Sequence, residues 1–198
     1  MQKNLKNKGI NFTIMTILFI AAILILNLSI FKSGSYKYDI LSKNIIFNIN
    51  ENGITSLKLT TTIKAQDKKS FNYLLNGYKR SDIEKSKGYE KIFNEKNNKN
   101  IYCKVLNYKS IINTSELNIF VEETMDLSGI INKNNNELIF NFPIKRLNID
   151  ANSNLYVYLP ENWTLKESIP TPSKNLGTYL LWNNVGTIDF SKIVLNKK

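Results

Sequence analysis

The chain has no histidine and a single cysteine, Cys103, in 198 residues. The missing histidine removes the Ser-His and Cys-His nucleophile pairs, the commonest general base and the commonest metal ligand together. One cysteine excludes an intrachain disulfide and a thiolate metal site. Arginine is also scarce: Arg80 and Arg146 are the two arginines, and the other basic residues are lysines. Bidentate recognition of phosphates and guanines favours arginine, and groove-reading patches cluster their charge. Here the lysines are spread along the chain among asparagines. The net charge of +11 therefore reads as a solvated basic surface and not as a nucleic-acid site. It fits a weak attraction to anionic lipid headgroups or an acidic wall polymer. The eight glycines are scattered and build no phosphate-cradling loop. Alanine is rare beyond the first 35 residues, which weakens an all-helical reading.

What is present begins with one long apolar run. Residues 10–31 carry no charge and are dense in Ile, Leu and Phe. As a helix rising about 1.5 Å per residue they span roughly 33 Å, enough for a hydrocarbon core of about 30 Å. A basic tail, residues 1–9 with Lys3, Lys6 and Lys8, precedes the run; Lys32 and Ser33-Gly34-Ser35 follow it in a linker, residues 32–36. This pattern predicts an uncleaved single-pass signal anchor. The rival is a cleaved signal peptide with residues 14–26 as its core and Ser33 or Ser35 at the cut. Against that rival, the run is long and no A-x-A pattern closes it. No cysteine follows, which argues against a lipoprotein anchor. Lysines on both sides nearly balance the positive-inside count, and long domains cross largely regardless of charge. Residues 37–198 are expected outside the cytoplasm, at the cell membrane.

That domain reads as strands. Ile45, Phe47 and Ile49 share one face, Asn52-Gly53 supplies a hairpin turn, and Leu57, Leu59, Thr61 and Ile63 alternate on the return. Residues 66–100 break the pattern as an irregular insertion. Phe71, Leu74, Leu75 and Tyr78 recur at helical spacing, Asn76-Gly77 could end that helix, and Ser81 to Glu84 has capping-box spacing. Alternation resumes at 101–108, 116–125, 137–142, 154–159, 163–168, 178–183 and 187–195. Short strands with frequent turns predict a mainly β fold, an antiparallel sandwich carrying the short helical and loop insertion.

Between residues 155 and 195 the sequence runs Leu159-Pro160-Glu161-Asn162-Trp163, then Pro170 and Pro172, then Leu181-Trp182-Asn183-Asn184-Val185-Gly186-Thr187. This cadence resembles that of immunoglobulin-like β-sandwich modules on bacterial and archaeal cell surfaces. The resemblance implies a spacer, adhesin or accessory ectodomain without catalysis. Asn162 stands where such modules often have glycine, and Asp189-Phe190-Ser191 replaces their Pro-Gly-Glu turn. Trp163 and Trp182 read as core fillers, with carbohydrate stacking as the alternative.

No residue is assigned a catalytic, cofactor-binding or metal-binding role, and no cofactor is expected. Glu122, Glu123 and Asp126 form the densest acidic cluster, but adjacent strand residues face opposite sides. The cluster reads as a solvated face. Cys103 reads as a buried small hydrophobe. Ser29 and Lys32 have S-x-x-K spacing without a Lys-Thr-Gly partner and read as chance. Asn113-Thr114-Ser115 and Asn162-Trp163-Thr164 match glycosylation acceptors, relevant only in a eukaryotic secretory pathway. The sequence thus predicts a non-enzymatic anchored domain that contacts a protein or cell-envelope partner. The alternatives are a carboxylate-based carbohydrate-acting enzyme and a structural subunit of a membrane complex.

Overall fold

The structure is a computed structural model that describes residues 36–95, 102–134 and 136–198. The apolar run at 10–31 lies outside them, as do the linker's first residues and Ser29 and Lys32. Among the described residues no helix is long and apolar enough to cross a membrane.

The chain opens on a hairpin, β1 (Tyr38–Ile49) and β2 (Ile54–Ala65). Gly53 takes φ +86°, a conformation glycine adopts without steric cost, and the Ile54 N–H donates to the Asn52 side chain at 3.0 Å. Two helices follow, α1 (Lys68–Tyr78) and α2 (Asp82–Glu95). Asp67 caps α1, its carboxylate accepting from the Ser70 N–H at 2.7 Å. Ser81 and Glu84 form the capping box at the start of α2, each side chain accepting from the other's N–H at 3.3 Å. Strands β3 (Lys104–Ser115) and β4 (Asn118–Ser128) then pair beside β2. The remainder is β5 (Ile131–Asn134), β6 (Glu137–Asn141), β7 (Arg146–Ile149), β8 (Ser153–Tyr158), β9 (Trp163–Ile169), β10 (Lys174–Asn175), β11 (Tyr179–Asn183), β12 (Gly186–Asp189) and β13 (Lys192–Lys197).

Seven strands make the main sheet, ordered β10-β11-β8-β1-β2-β4-β3; four make a second, β5-β6-β13-β9; β12 and β7 form a small ribbon. The inner face of the main sheet carries Ile45, Phe47, Leu57, Leu59, Ile63, Ile119, Met125, Leu155 and Val157, all buried. Under its β1-β8-β11 side lies an aromatic cluster. Phe47 meets Phe140 and Phe142 at ring distances of 5.3 and 5.7 Å, and Phe142 meets Phe190 at 4.4 Å and Trp182 at 6.3 Å. Under its β2-β4-β3 side the covering layer is helical, with Leu74 and Tyr78 of α1 and Tyr89, Ile92 and Phe93 of α2 buried.

The mainly β, layered architecture follows the sequence pattern, and three features depart from the antiparallel immunoglobulin-like sandwich. β1 and β8 run parallel, Lys43 beside Ser153 through Asn48 beside Tyr158. Residues 66–95 fold as two regular helices that fill half of the second layer. Residues 187–195 divide into β12 and β13, because the chain breaks at Phe190, whose ring drops into the aromatic cluster.

Candidate functional site

The inward register of β4 is Ile119, Val121, Glu123, Met125 and Leu127. A carboxylate thus occupies a core position, and Glu123 is only 2% exposed. This corrects the solvated-face reading for that residue. Its neighbours do stay outside: Glu122 pairs with Lys58 at 2.8 Å, and Asp126 accepts from the Asn107 side chain at 2.9 Å. Burying a lone carboxylate costs several kcal/mol unless donors replace water. Two phenols do so here, Tyr89 from α2 at 2.7 Å and Tyr108 from β3.

Tyr108 reaches Glu123 through a break in strand alternation. Asn107 has φ +49°, and the pairing of β3 with β4 slips between Leu106 and Lys109. Such a bulge re-aims the side chains beyond it, so Tyr108 and Ser110 turn inward. Lys85 of α2 donates to the Ser110 hydroxyl at 2.7 Å, and that hydroxyl donates to Asp82 at 2.8 Å. The Tyr78 hydroxyl is buried nearby and has no hydrogen-bond partner among the described residues. Burial raises the Glu123 pKa above the usual carboxylate range, against the Tyr108 and Tyr89 hydrogen bonds and the Lys85 charge, which lower it; Asp82 adds to the rise. Burial and then the Glu123 charge push the Tyr89 and Tyr108 phenols up, so both stay protonated donors at neutral pH.

Chemically this cluster is sealed. Both Glu123 oxygens are engaged, and Tyr78, Tyr89, Tyr108 and Lys85 are buried with it. It ties α2 to β3 and β4. Asp82 and Glu123 share one network flanked by tyrosines, yet Glu123 offers no open side to a substrate. A second buried charge, Lys43, follows the inward register of β1 and donates to the Asn148 carbonyl at 3.0 Å. Burial lowers its pKa, opposed by Asp150.

The other residues singled out by sequence are structural or exposed. Trp163 and Trp182 are 1% and 0% exposed, and the Trp182 indole N–H donates to the Thr171 carbonyl at 3.0 Å. Their rings are closed to sugars. Cys103 is buried, its backbone N–H and carbonyl both bound by the Asn94 side chain at 2.8 Å; burial, then the Glu90 charge, pushes its thiol up to about 12. Asn113 lies exposed on β3, and Asn162 is exposed just before β9. Among the described residues no group of three His, Cys, Asp or Glu could hold a metal ion.

The outer face of the main sheet has a different character. Among the described residues no helix or second sheet packs on it, and its side chains are half-buried or exposed. One cross-strand row runs through all seven strands: Lys174, Leu181, Tyr156, Ile46, Lys58, Thr124 and Lys109. Beside it lie Tyr179, Tyr158, Asn48, Ser56 and Asp126 on one flank. On the other lie Asn183, Asn154, Asn44, Thr60 and Glu122. Asn154 donates to Asn44 at 3.0 Å, Asn44 to Thr60 at 3.3 Å and Asn48 to Ser56 at 3.2 Å. The Tyr179 ring lies 5.2 Å from that of Tyr158 and 6.0 Å from that of Tyr156. Towards β3 the face opens into a cleft of about 520 Å³ whose lining includes Asn48, Lys58, Asn107, Lys109 and Asp126. Of these residues the sequence singles out Glu122 and Asp126, as an acidic solvated face, and Leu181 and Asn183, within a motif; the others are ordinary outward positions of their strands. The missing signal is the strand order that assembles them.

A family model described as a domain of unknown function, DUF4897, matches residues 38–196, so the chain belongs to that family. None of the curated proteins matches it. Among solved structures, the chain is similar to the NMR structure of the folded domain of Mycobacterium tuberculosis LppM, at 10% identity and a TM-score of 0.44, covering 85% of this chain and 95% of that one.

Proposed function

We propose that this DUF4897 chain is a single-pass, membrane-anchored domain, held outside the cytoplasm, that binds a cell-envelope partner without transforming it. The observation that carries this reading is the contrast between the two faces of the main sheet. The inner face is fully engaged in packing, and its buried ionisable cluster is sealed beneath α2. The outer face is broad, polar and aromatic, and no other element among the described residues covers it. Sheet faces of this kind are normally solvated, but one that also groups three tyrosines and opens into a cleft has the anatomy of a docking surface. The charge-free run at 10–31 behind a basic tail supports anchoring.

Protease shaving of intact cells, followed by fractionation and N-terminal sequencing of the mature chain, tests this reading. Residues 37–198 should be lost from the membrane fraction after shaving, and the mature N-terminus should retain residues 10–31. Full protection from the protease in intact cells would overturn the display; a start at residue 34 or beyond would replace the anchor with a cleaved signal.

A further inference from the structure

We infer that the outer face of the main sheet binds an acidic linear polysaccharide, laid along the row from Lys174 to Lys109. This deepens the envelope-binding reading above and rests on it. Neighbouring strands are about 4.8 Å apart, so the seven positions of the row span roughly 29 Å. The face is open along that length, the cleft towards β3 included, which favours an extended polymer.

Its chemistry selects among polymers. The flanks are amides and hydroxyls, Asn44, Asn48, Asn154, Ser56 and Thr60, and these groups both donate and accept hydrogen bonds as sugar hydroxyls do. Tyr156, Tyr158 and Tyr179 add apolar ring faces with polar tips, suited to the C–H faces of pyranose rings. A protein partner would favour a broad apolar centre with pockets for anchors; here the apolar part of the row, Leu181, Tyr156 and Ile46, is bordered by Asn44, Asn48, Asn154 and Asn183.

Charge complementarity fixes the sign. Glu122 is ion-paired to Lys58, and Asp126 is engaged by Asn107. Lys109 and Lys174, towards the two ends of the row, are exposed and form no ion pair among the described residues. Asp126 keeps its negative charge beside Lys109 in the cleft, so the uncompensated positive charge sits at the Lys174 end, within a displayed domain that is itself net positive and draws polyanions toward it.

The test uses the full-length chain in detergent micelles and four immobilised polymers: polygalacturonate, a phosphorylated mannan, neutral dextran and polyglutamate. Polygalacturonate or the phosphomannan should retain the protein at least ten-fold more tightly than dextran or polyglutamate. Whichever of the two binds identifies carboxylate or phosphate as the acidic group. The charge reversals Lys109→Glu with Lys174→Glu should weaken that retention at least ten-fold with an unchanged thermal melt, and Tyr158→Ala should weaken it several-fold. Should Tyr158→Ala fail to fold, the lysine pair decides. Equal retention on polyglutamate would reduce the face to a generic cation, and equal retention on dextran would remove the acidic requirement. Either result, indifference to the lysine reversals, or no retention on either acidic glycan overturns the inference. A glycan failure leaves the envelope-binding reading standing if the face is still covered in intact cells.

Discussion

A carboxylate held between two phenols beneath a helix responds to pH in a defined direction. Burial keeps Glu123 above the usual range in the folded state, whereas in the unfolded chain it titrates near about 4.3. Between those two values the folded state binds more protons, so stability falls as pH rises through the window. Glu123→Gln removes that titration and keeps a side-chain oxygen for one phenol. The variant should melt about 2–4 °C higher than the parent at pH 8, corresponding to about 1 kcal/mol, and gain nothing at pH 4. Thermal melts at the two pH values check this; an equal loss at both would contradict it. The position was partly legible in the sequence, because Glu123 keeps step with Ile119, Val121 and Met125. Its charge argued for solvent, and its compensating phenols come from residues 15 and 34 positions away. No local pattern announces them.

Elements were most legible where pattern and turn chemistry agreed. The β1–β2 hairpin has its expected faces, and the capping box of α2 forms at Ser81 and Glu84. Asn76-Gly77 was a weaker guide, since α1 continues to Tyr78. A Cβ at Gly77 would meet nothing within 4 Å, and helical glycine costs about 0.5–1 kcal/mol relative to alanine. Gly77→Ala should therefore stabilise the protein by about that amount in urea unfolding. Gly129, after β4, behaves oppositely. It has φ +84°, and a Cβ there would overlap the Tyr102 carbonyl oxygen. Gly129→Ala should destabilise by about 2–5 kcal/mol, combining backbone strain with overpacking. The same unfolding curves read it, and an unchanged midpoint would sink the assignment. The bulge at Asn107 and the short strands β5, β7 and β10 escaped sequence reading. A bulge reverses side-chain parity without a fixed residue signature, and two- to four-residue strands are too short to show alternation.

For the whole molecule, alternation along each strand sorted residues into inner and outer sets, but the order of strands is a long-range property. That order sets β8 parallel to β1, places the helices under β2, β4 and β3, and lines up a row of seven side chains drawn from residues 46 to 181. The two tryptophans, which the sequence already marks as core fillers, are buried. The docking surface fell to tyrosines, asparagines and lysines that singly look like ordinary surface.

Accessibility of that surface in living cells tests the account most directly, and the buried, unreactive Cys103 leaves the chain free of background labelling. A single cysteine introduced as Asn48→Cys reports the outer face; Thr164→Cys, on β9, reports the opposite sheet. Each is treated with a membrane-impermeant maleimide in intact cells and again after purification. Thr164→Cys should label equally in both states, and Asn48→Cys should label fully when purified but several-fold less in cells. Equal labelling of Asn48→Cys in both states would show that nothing covers the face, and failure of both sites to label in cells would place the domain on the wrong side of the membrane.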